Sequence, residues 1–270
     1  MRGSWLGGSE MLDVLKLGGS VVTFKDRVMT QNEEAIRRLS EEIAAAGPRR
    51  LVVVHGGGSY GHPLAKEHGI TKGFKSAGQL VGFSRTRQAM VALNCIVVSA
   101  LLDEGVPAVS VSPSSFISTQ DGRLQELDLG LVKRYLDSGI VPVMYGDAVL
   151  DSALGFTILS GDQLAVRLAT DLDAAKLIFG VDVDGVYTAN PKMAKGAKLI
   201  ERLSLSQVKG IIRIGEAVST DVTGGMLGKI NEAQAAVEAG VSVQLVNALE
   251  PGRMLRALRG EPVVGTILTR

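Results

Sequence analysis

His55-Gly-Gly-Gly-Ser-Tyr-Gly-His62 is the stretch on which the reading of this chain turns. It follows the apolar run Leu51-Val-Val-Val54 and opens a stretch of helical character, so it reads as a strand-to-helix turn. Glycines let a backbone approach a ligand closely and take positive φ. The free N–H groups at a helix start suit a phosphate. Taken alone, Gly56-x-Gly58-x-x-Gly61 fits the dinucleotide-binding fingerprint, which also wants an acidic residue about 20 positions on to hold a ribose. None stands there: after Glu67 the next acid is Asp103. A nicotinamide cofactor is therefore disfavoured, and the plain alternative is a tight turn with no ligand.

Two more glycine loops share this design. Lys16-Leu-Gly-Gly-Ser20 ends the apolar run that starts at Leu12, and its lysine can reach a phosphate held by the loop. Asp221-Val-Thr-Gly-Gly-Met-Leu-Gly-Lys229 opens a helical stretch and sets a lysine in its first turns. No G-x-x-x-x-G-K-[ST] sequence occurs, so the loops are not of the Walker type. Three glycine-rich helix entries, two of them carrying lysines, point to a polyphosphate site.

Outward from the loops, short Val/Ile/Leu runs recur at Leu12–Leu17, Leu51–Val54, Val106–Val111, Ile140–Tyr145, Ala175–Val181 and Val241–Val246. Such runs are the mark of strands buried on both faces of a parallel sheet. Helical stretches lie between them, at Gln31–Ala46, Thr86–Asp103, Leu127–Leu136, Gly161–Ala169 and Met226–Ala239. Strand and helix in alternation argue for a doubly wound α/β fold. Two segments break the rhythm as candidate hairpins: Ser115–Glu126, with an Asp121-Gly122 turn, and Ala148–Ile158. A soft lobe boundary falls near Thr170–Ala174. Residues 1–10 read as a flexible leader, 11–172 as one lobe and 173–270 as a second.

The chain of 270 residues is 46% hydrophobic, enough for a large core, and 29 basic against 28 acidic residues leave a formal net charge of +1. That balance gives no reason to expect nucleic acid or an anionic membrane as partner. No apolar run reaches the roughly 18 residues of a membrane span. The single cysteine, Cys95, lies in the apolar run Met90–Leu102 and reads as a packed core thiol; a reducing, cytoplasmic setting fits.

Together the three loops resemble the amino acid kinase superfamily, over nearly the whole chain from about Leu12. The late nucleotide-binding segment is matched by Asp182-Val-Asp-Gly-Val-Tyr187, with Asn190-Pro-Lys192 beyond it. Within the superfamily the loop ending in His62, with Tyr145-Gly-Asp147, Ser160-Gly-Asp162 and Asp221-Val-Thr-Gly-Gly225, is similar to the isopentenyl phosphate kinases and the fosfomycin kinases near them. Two departures stand out. Tyr60 replaces the usual phenylalanine, and Gly180-Val181 precede Asp182 where a leucine and a threonine or serine are usual.

The resemblance implies a three-layer αβα sandwich in two lobes around a mainly parallel sheet, the first lobe binding the acceptor and the second ATP. It also implies a homodimer and the transfer of the γ-phosphoryl group of ATP to a phosphate monoester. By that resemblance Lys16, Lys25, His62 and Asp162 carry catalysis. Lys25 would lie near the transferred group, and Asp162 would orient the lysines. Gly57, Gly61, His62, Gly161 and Phe83 would meet the acceptor, His62 by donating to its phosphate. Lys16, Gly18, Gly19, Ser20, Gly58, Asp182, Gly185, Tyr187, Gly224, Gly225 and Lys229 would meet the nucleotide. Mg²⁺ would be held largely by phosphates and water rather than by protein ligands. Read without the family, Lys25 is a solvated surface lysine, Asp162 favours its helix N-terminus, His55 supports its loop and His68 is an exposed helical residue. The competing functions are a kinase for another small acid, such as fosfomycin or an acylated amino acid, and a non-catalytic nucleotide-binding protein.

Overall fold

A computed structural model describes residues 9–47, 49–189, 196–208 and 224–270. Its strands are β1 Ser9–Leu17, β2 Arg49–His55, β3 Ala108–Ser110, β4 Ile117–Gln120, β5 Arg123–Leu127, β6 Val141–Tyr145, β7 Asp147–Asp151, β8 Gly155–Leu159, β9 Lys176–Val181, β10 Arg202–Ser204, β11 Ser242–Asn247 and β12 Gly265–Thr269. Its helices are α1 Gly19–Val22, α2 Glu33–Ala46, α3 Gly58–Glu67, α4 Gly78–Asp103, α5 Gly130–Asp137, α6 Gly161–Asp171, α7 Gly224–Glu238 and α8 Arg253–Arg259.

Eight strands form one sheet in the order β10-β12-β11-β9-β1-β2-β6-β3. Every pair in it is parallel except β11 with β12. Side chains alternate across a strand, and β1 and β2 divide accordingly. Val14, Val52 and Val54 face one core with α5, α6 and α7; Leu15, Leu17, Leu51 and Val53 face the other with α2, α4 and α8. The result is the expected three-layer αβα sandwich. The sheet runs unbroken across Leu172–Asp173, where the sequence suggests a lobe boundary.

Both expected hairpins form, and they join as a second sheet, β5-β4-β7-β8. Asp121 (φ 49°) and Gly122 (φ 75°) both take the left-handed turn that an Asp-Gly hairpin requires. The buried Asp151 carboxylate ties the two turns together. It accepts from the N–H groups of Asp121, Gly122, Ala153 and Leu154 and from the Thr119 hydroxyl. The β4–β5 hairpin is fastened to two helices of the main body. Arg123 pairs through both terminal nitrogens with Glu232 of α7 (2.5 and 2.9 Å), and the Leu124 N–H donates to Gln163 of α6 (2.6 Å).

Several expectations need correction. β1 takes in Ser9 and Glu10, which the sequence reading gave to a leader. α4 begins at Gly78, eight residues before Thr86, because Gly78 and Gly82 do not break a helix whose flank packs on α3. α4 is thereby long and apolar enough to cross a membrane, although the sequence reading found no such run. Here it packs against α2, α3, β3, β6 and β7. Cys95 is exposed rather than packed in the core. α4 is apolar on most sides, so its pattern does not say which side meets the sheet; Met90, Leu93, Val97 and Leu101 take the core side. β10, β12 and α8 are additional to the elements read from the sequence.

Candidate active site

The carboxyl ends of β9, β1, β2 and β6 lie side by side and are stitched by backbone hydrogen bonds. Gly18 N–H donates to Gly180 O, Gly56 N–H to Leu17 O, and Gly146 N–H to His55 O. A crevice outside such strand ends is where parallel α/β sheets bind ligands. The first two glycine loops interlock backbone to backbone. A Cβ on Gly19 would fall 2.7 Å from Gly58 Cα, and one on Gly56 would fall 2.6 Å from Gly19 N. Gly58 has φ +46°, and a Cβ there would meet the Gly19 carbonyl at 2.6 Å. Thr23 locks the joint: its hydroxyl donates to Gly19 O (2.7 Å) and accepts from Ser59 N–H (2.9 Å). The helix starts at Gly19 and Gly58 thus converge, with first-turn N–H groups that have no partner within their own helix.

Beside them stands a buried ion triad. Lys16 is the penultimate residue of β1, Asp162 lies in the first turn of α6, and Lys229 lies in α7. Asp162 sits between the lysines, 2.7 Å from Lys16 Nζ and 2.6 Å from Lys229 Nζ. Burial pushes the Asp162 carboxyl up, but the two ammonium groups, Lys16 ahead of Lys229, outweigh it and hold the pKa below the ordinary value. The Ser160 side chain caps α6 by accepting from Asp162 N–H. Lys229 also lies over the Phe179 ring, 5.1 Å from its centroid. Burial first and Lys16 second pull its pKa from 10.5 to about 8, although Asp162 opposes them.

Lys229 therefore supports a prediction about protons. A bound polyphosphate favours the charged amine, so ATP binding near pH 8 to 9 is expected to take up protons. Its affinity is expected to fall as pH rises through about 8. The unliganded fold has the opposite slope: between about 8 and 10.5 the unfolded chain holds more protons on this lysine, so its contribution to stability rises with pH. Calorimetry of ATP binding in buffers of different ionisation enthalpy checks the uptake, which should vanish in Lys229→Met.

His62 lies exposed in the first turns of α3. Partial desolvation, then the Lys16 charge, hold its pKa below the ordinary histidine value. Gly57 and Gly61 let α3 lie close on Met90, whose Sδ would be 3.1 Å and 2.8 Å from a Cβ at each. Gly161 sits against His55 O and Lys16. Phe83 packs on Phe156 (centroids 5.2 Å apart) in a separate apolar cluster with Ala65, Ile70, Ala148 and Ile158. Val81, two residues before Phe83 in α4, is exposed.

Other expected residues are placed differently. Lys25 does not join the triad: it is 70% exposed and pairs with Asp182 at 2.7 Å. Burial pushes the Asp182 carboxyl up, but Lys25, with a smaller contribution from the Ser20 hydroxyl, holds its pKa below the ordinary value. In the late segment, Tyr187 donates to Asp184, and Gly185 (φ +150°) lets Thr266 close on the backbone. Asp184 also binds Asn247 and Arg253, so these residues brace the segment. Val181 is buried in the core, and its position offers no polar side chain. Gly224 and Gly225 open α7, whereas Asp221–Thr223 and Asn190–Lys192 lie outside the described residues. Among the described residues no cluster of three or more acidic, histidine or cysteine side chains could hold a metal ion. Asp162 is committed to lysines, which fits a Mg²⁺ carried mainly by phosphate oxygens.

A polar cluster beside this site has no role in the reading of the sequence. Arg87 donates to Ser112 (3.1 Å) and lies 3.6 Å from the fully buried Asp147 carboxylate. Burial pushes Asp147 up, with Ser114 and Arg87 pulling against it. An arginine within the long apolar stretch of α4 was the available signal.

Interlocked glycine loops and a carboxylate between two buried lysines, at the strand ends of an αβα sandwich, define a phosphoryl-transfer fold. The chain belongs to the amino acid kinase family, whose description matches residues 11–247. Its relatives narrow the class. It is 43% identical to the isopentenyl phosphate kinase of Methanothermobacter thermautotrophicus, over 95% of this chain and 98% of that one. It is 37% identical to the Arabidopsis thaliana isopentenyl phosphate kinase, over 78% and 68%. An X-ray structure of isopentenyl phosphate kinase superposes with a TM-score of 0.84 at 42% identity, covering 96% of this chain and 100% of that one.

Proposed function

We propose that this protein transfers the γ-phosphoryl group of ATP to isopentenyl phosphate, forming isopentenyl diphosphate. The observation that carries the reading is the pairing of the Lys16–Asp162–Lys229 triad with a glycine loop that ends in His62. It is supported by several isopentenyl phosphate kinases that are 35–43% identical over most of the chain.

The acceptor is already mostly a dianion at neutral pH, its second pKa being about 6. A phosphate oxygen attacks the γ-phosphorus, the bond to the β,γ-bridging oxygen breaks, and ADP leaves with that electron pair. No strong base is needed; the difficulty is bringing two anions into line. Lys16 and Lys229 neutralise the ATP phosphates, and the helix starts at Gly19 and Gly58 offer N–H groups. His62 donates to the acceptor phosphate. Lys25 is poised at Asp182 on the rim of the same strand ends, within this reading to swing onto the transferred group. Mg²⁺, held with ATP by phosphate oxygens and water, would supply further charge neutralisation. Phe83, Phe156 and Ile158 form an apolar wall suited to a short hydrocarbon tail. In this reading residues 11–172 hold the acceptor and 173–270 hold most of the nucleotide, with Lys16 and the Gly19 loop reaching its phosphates from the first part.

The test is ADP release with Mg-ATP against isopentenyl phosphate, dimethylallyl phosphate, fosfomycin, N-acetylglutamate and UMP. Turnover confined to fosfomycin, UMP or the amino acid would discard the acceptor. His62→Ala is expected to lower kcat/KM for isopentenyl phosphate by about a hundredfold, the scale of one charge-assisted donor, with ATP binding little changed. Undiminished turnover would remove His62 from the mechanism.

We further propose a cytoplasmic homodimer. Val91, Cys95 and Leu102 form an exposed, mostly apolar stripe on α4, suited to a second copy. Sedimentation should give twice the chain mass, and Val91→Glu should halve it; a monomeric wild-type protein would refute the assignment.

A further inference from the structure

The acceptor loop is held from behind by buried groups to which the proposed chemistry gives no part. Asn94, fully buried in the middle of α4, directs Nδ2 at His55 Nε2 (3.1 Å) and at the Val143 carbonyl of β6 (3.4 Å). A carbonyl oxygen only accepts, so the Asn94 group that faces it is the amide NH₂. The same NH₂ faces His55 Nε2, which must then accept, and the ring proton falls on Nδ1. Nδ1 lies 3.1 Å from the Gly56 carbonyl oxygen and donates to it. The ring itself is fully buried and stacked on Tyr145, centroids 5.5 Å apart. Burial, only partly offset by the Gly56 bond and aided by Lys16, takes the His55 pKa down to about 4, so the ring is neutral across the working range.

This adds a side-chain hold on the peptide between Gly56 and Gly57. Neither residue has a Cβ, so their own side chains give that peptide no preferred orientation, and the His55 ring supplies one from the core side. It is trans, so its C=O and N–H point in opposite directions. When His55 holds the Gly56 carbonyl toward the core, the Gly57 N–H is turned the opposite way, away from the core. We infer that His55 and Asn94 are positioning residues that set the Gly56–Gly57 peptide, so that the Gly57 N–H is a preset donor to the phosphate of the acceptor. The inference rests on the acceptor reading above for the identity of that phosphate; the peptide's orientation does not depend on it.

The first test needs no substrate. Long-range ¹H–¹⁵N correlation on histidine-labelled protein is expected to show His55 protonated at Nδ1, unprotonated at Nε2 and unchanged from about pH 6 to 8. The opposite tautomer would overturn the inference even if every variant failed to fold. The second test compares His55→Asn, which keeps an N–H donor near the Nδ1 position, with His55→Phe, which keeps a buried ring and loses the donor. His55→Phe and Asn94→Leu are expected to raise KM for isopentenyl phosphate about tenfold, the scale of one hydrogen bond to a charged group. KM for ATP should stay within about twofold, and His55→Asn should recover most of the loss. Equal loss for both substrates would mean a merely structural role and would sink the idea, as would an unchanged acceptor KM. Inorganic phosphate separates this inference from the acceptor identity: it should move the Gly57 amide resonance in the wild type and not in His55→Phe, whichever organic acceptor proves right.

Discussion

Asp162→Asn is expected to lower kcat by about three orders of magnitude, the scale on which charge positioning governs phosphoryl transfer, in a protein that still folds. Asparagine keeps the shape of the side chain and the start of α6. It removes the single negative charge that lies 2.7 Å and 2.6 Å from two nearly buried ammonium groups. Lys229 already titrates near 8, and Lys16 is second only to burial among the causes. Without the carboxylate the two lysines repel each other with no counter-charge between them, and the Lys229 pKa falls further. At neutral pH a growing share of it is then a neutral amine that no longer balances phosphate charge. The lost activity should therefore return in part as pH falls toward 6, whereas the wild type should show no such gain. A pH–rate profile of both proteins decides the matter; a variant with wild-type kcat would mean that the triad is structural only.

Gly19→Ala should be nearly as damaging, for a steric reason. Its Cβ would be driven into the Gly58 backbone, 2.7 Å from Cα, where no flexible side chain can yield. The interlocked loops would have to part, at a cost of about 3 kcal/mol on the scale of overpacked sites. Activity should fall at least about a hundredfold, because reacting groups moved by an ångström lose that much. Gly78→Ala is the matched control: it lies at the start of α4, its Cβ would approach only Ser76 Oγ at 3.9 Å, and it should change stability by no more than about 0.5 kcal/mol. Thermal unfolding and kcat/KM of the pair separate this account from a general intolerance of alanine in glycine-rich segments.

The loops were legible in the sequence because glycine and lysine at strand ends have few other uses. The triad was legible only through resemblance, since no spacing rule brings residues 16, 162 and 229 together. Partners set by tertiary packing left weaker traces. Nothing local says that Asp182 faces Lys25, or that Arg87 reaches across to Asp147. In α4, apolar residues on most sides hide which face meets the sheet, and Cys95 was misplaced for that reason. The antiparallel β12 escaped because Gly265–Thr269 is short and mixes threonines with its apolar residues, without the apolar run that marks the other inner strands.

The fastening of the β4–β5 hairpin has a thermodynamic consequence. Its anchors, Gln163 and Glu232, are the neighbour of Asp162 and a residue less than one helical turn beyond Lys229. Any displacement of the hairpin is thus delivered to the two helices that carry Asp162 and Lys229. Linkage is reciprocal: whatever affinity one ligand gains from the other through this strut, it must return in equal measure. Under the proposed function, two substrates coupled through this strut would load as partners rather than as independent tenants.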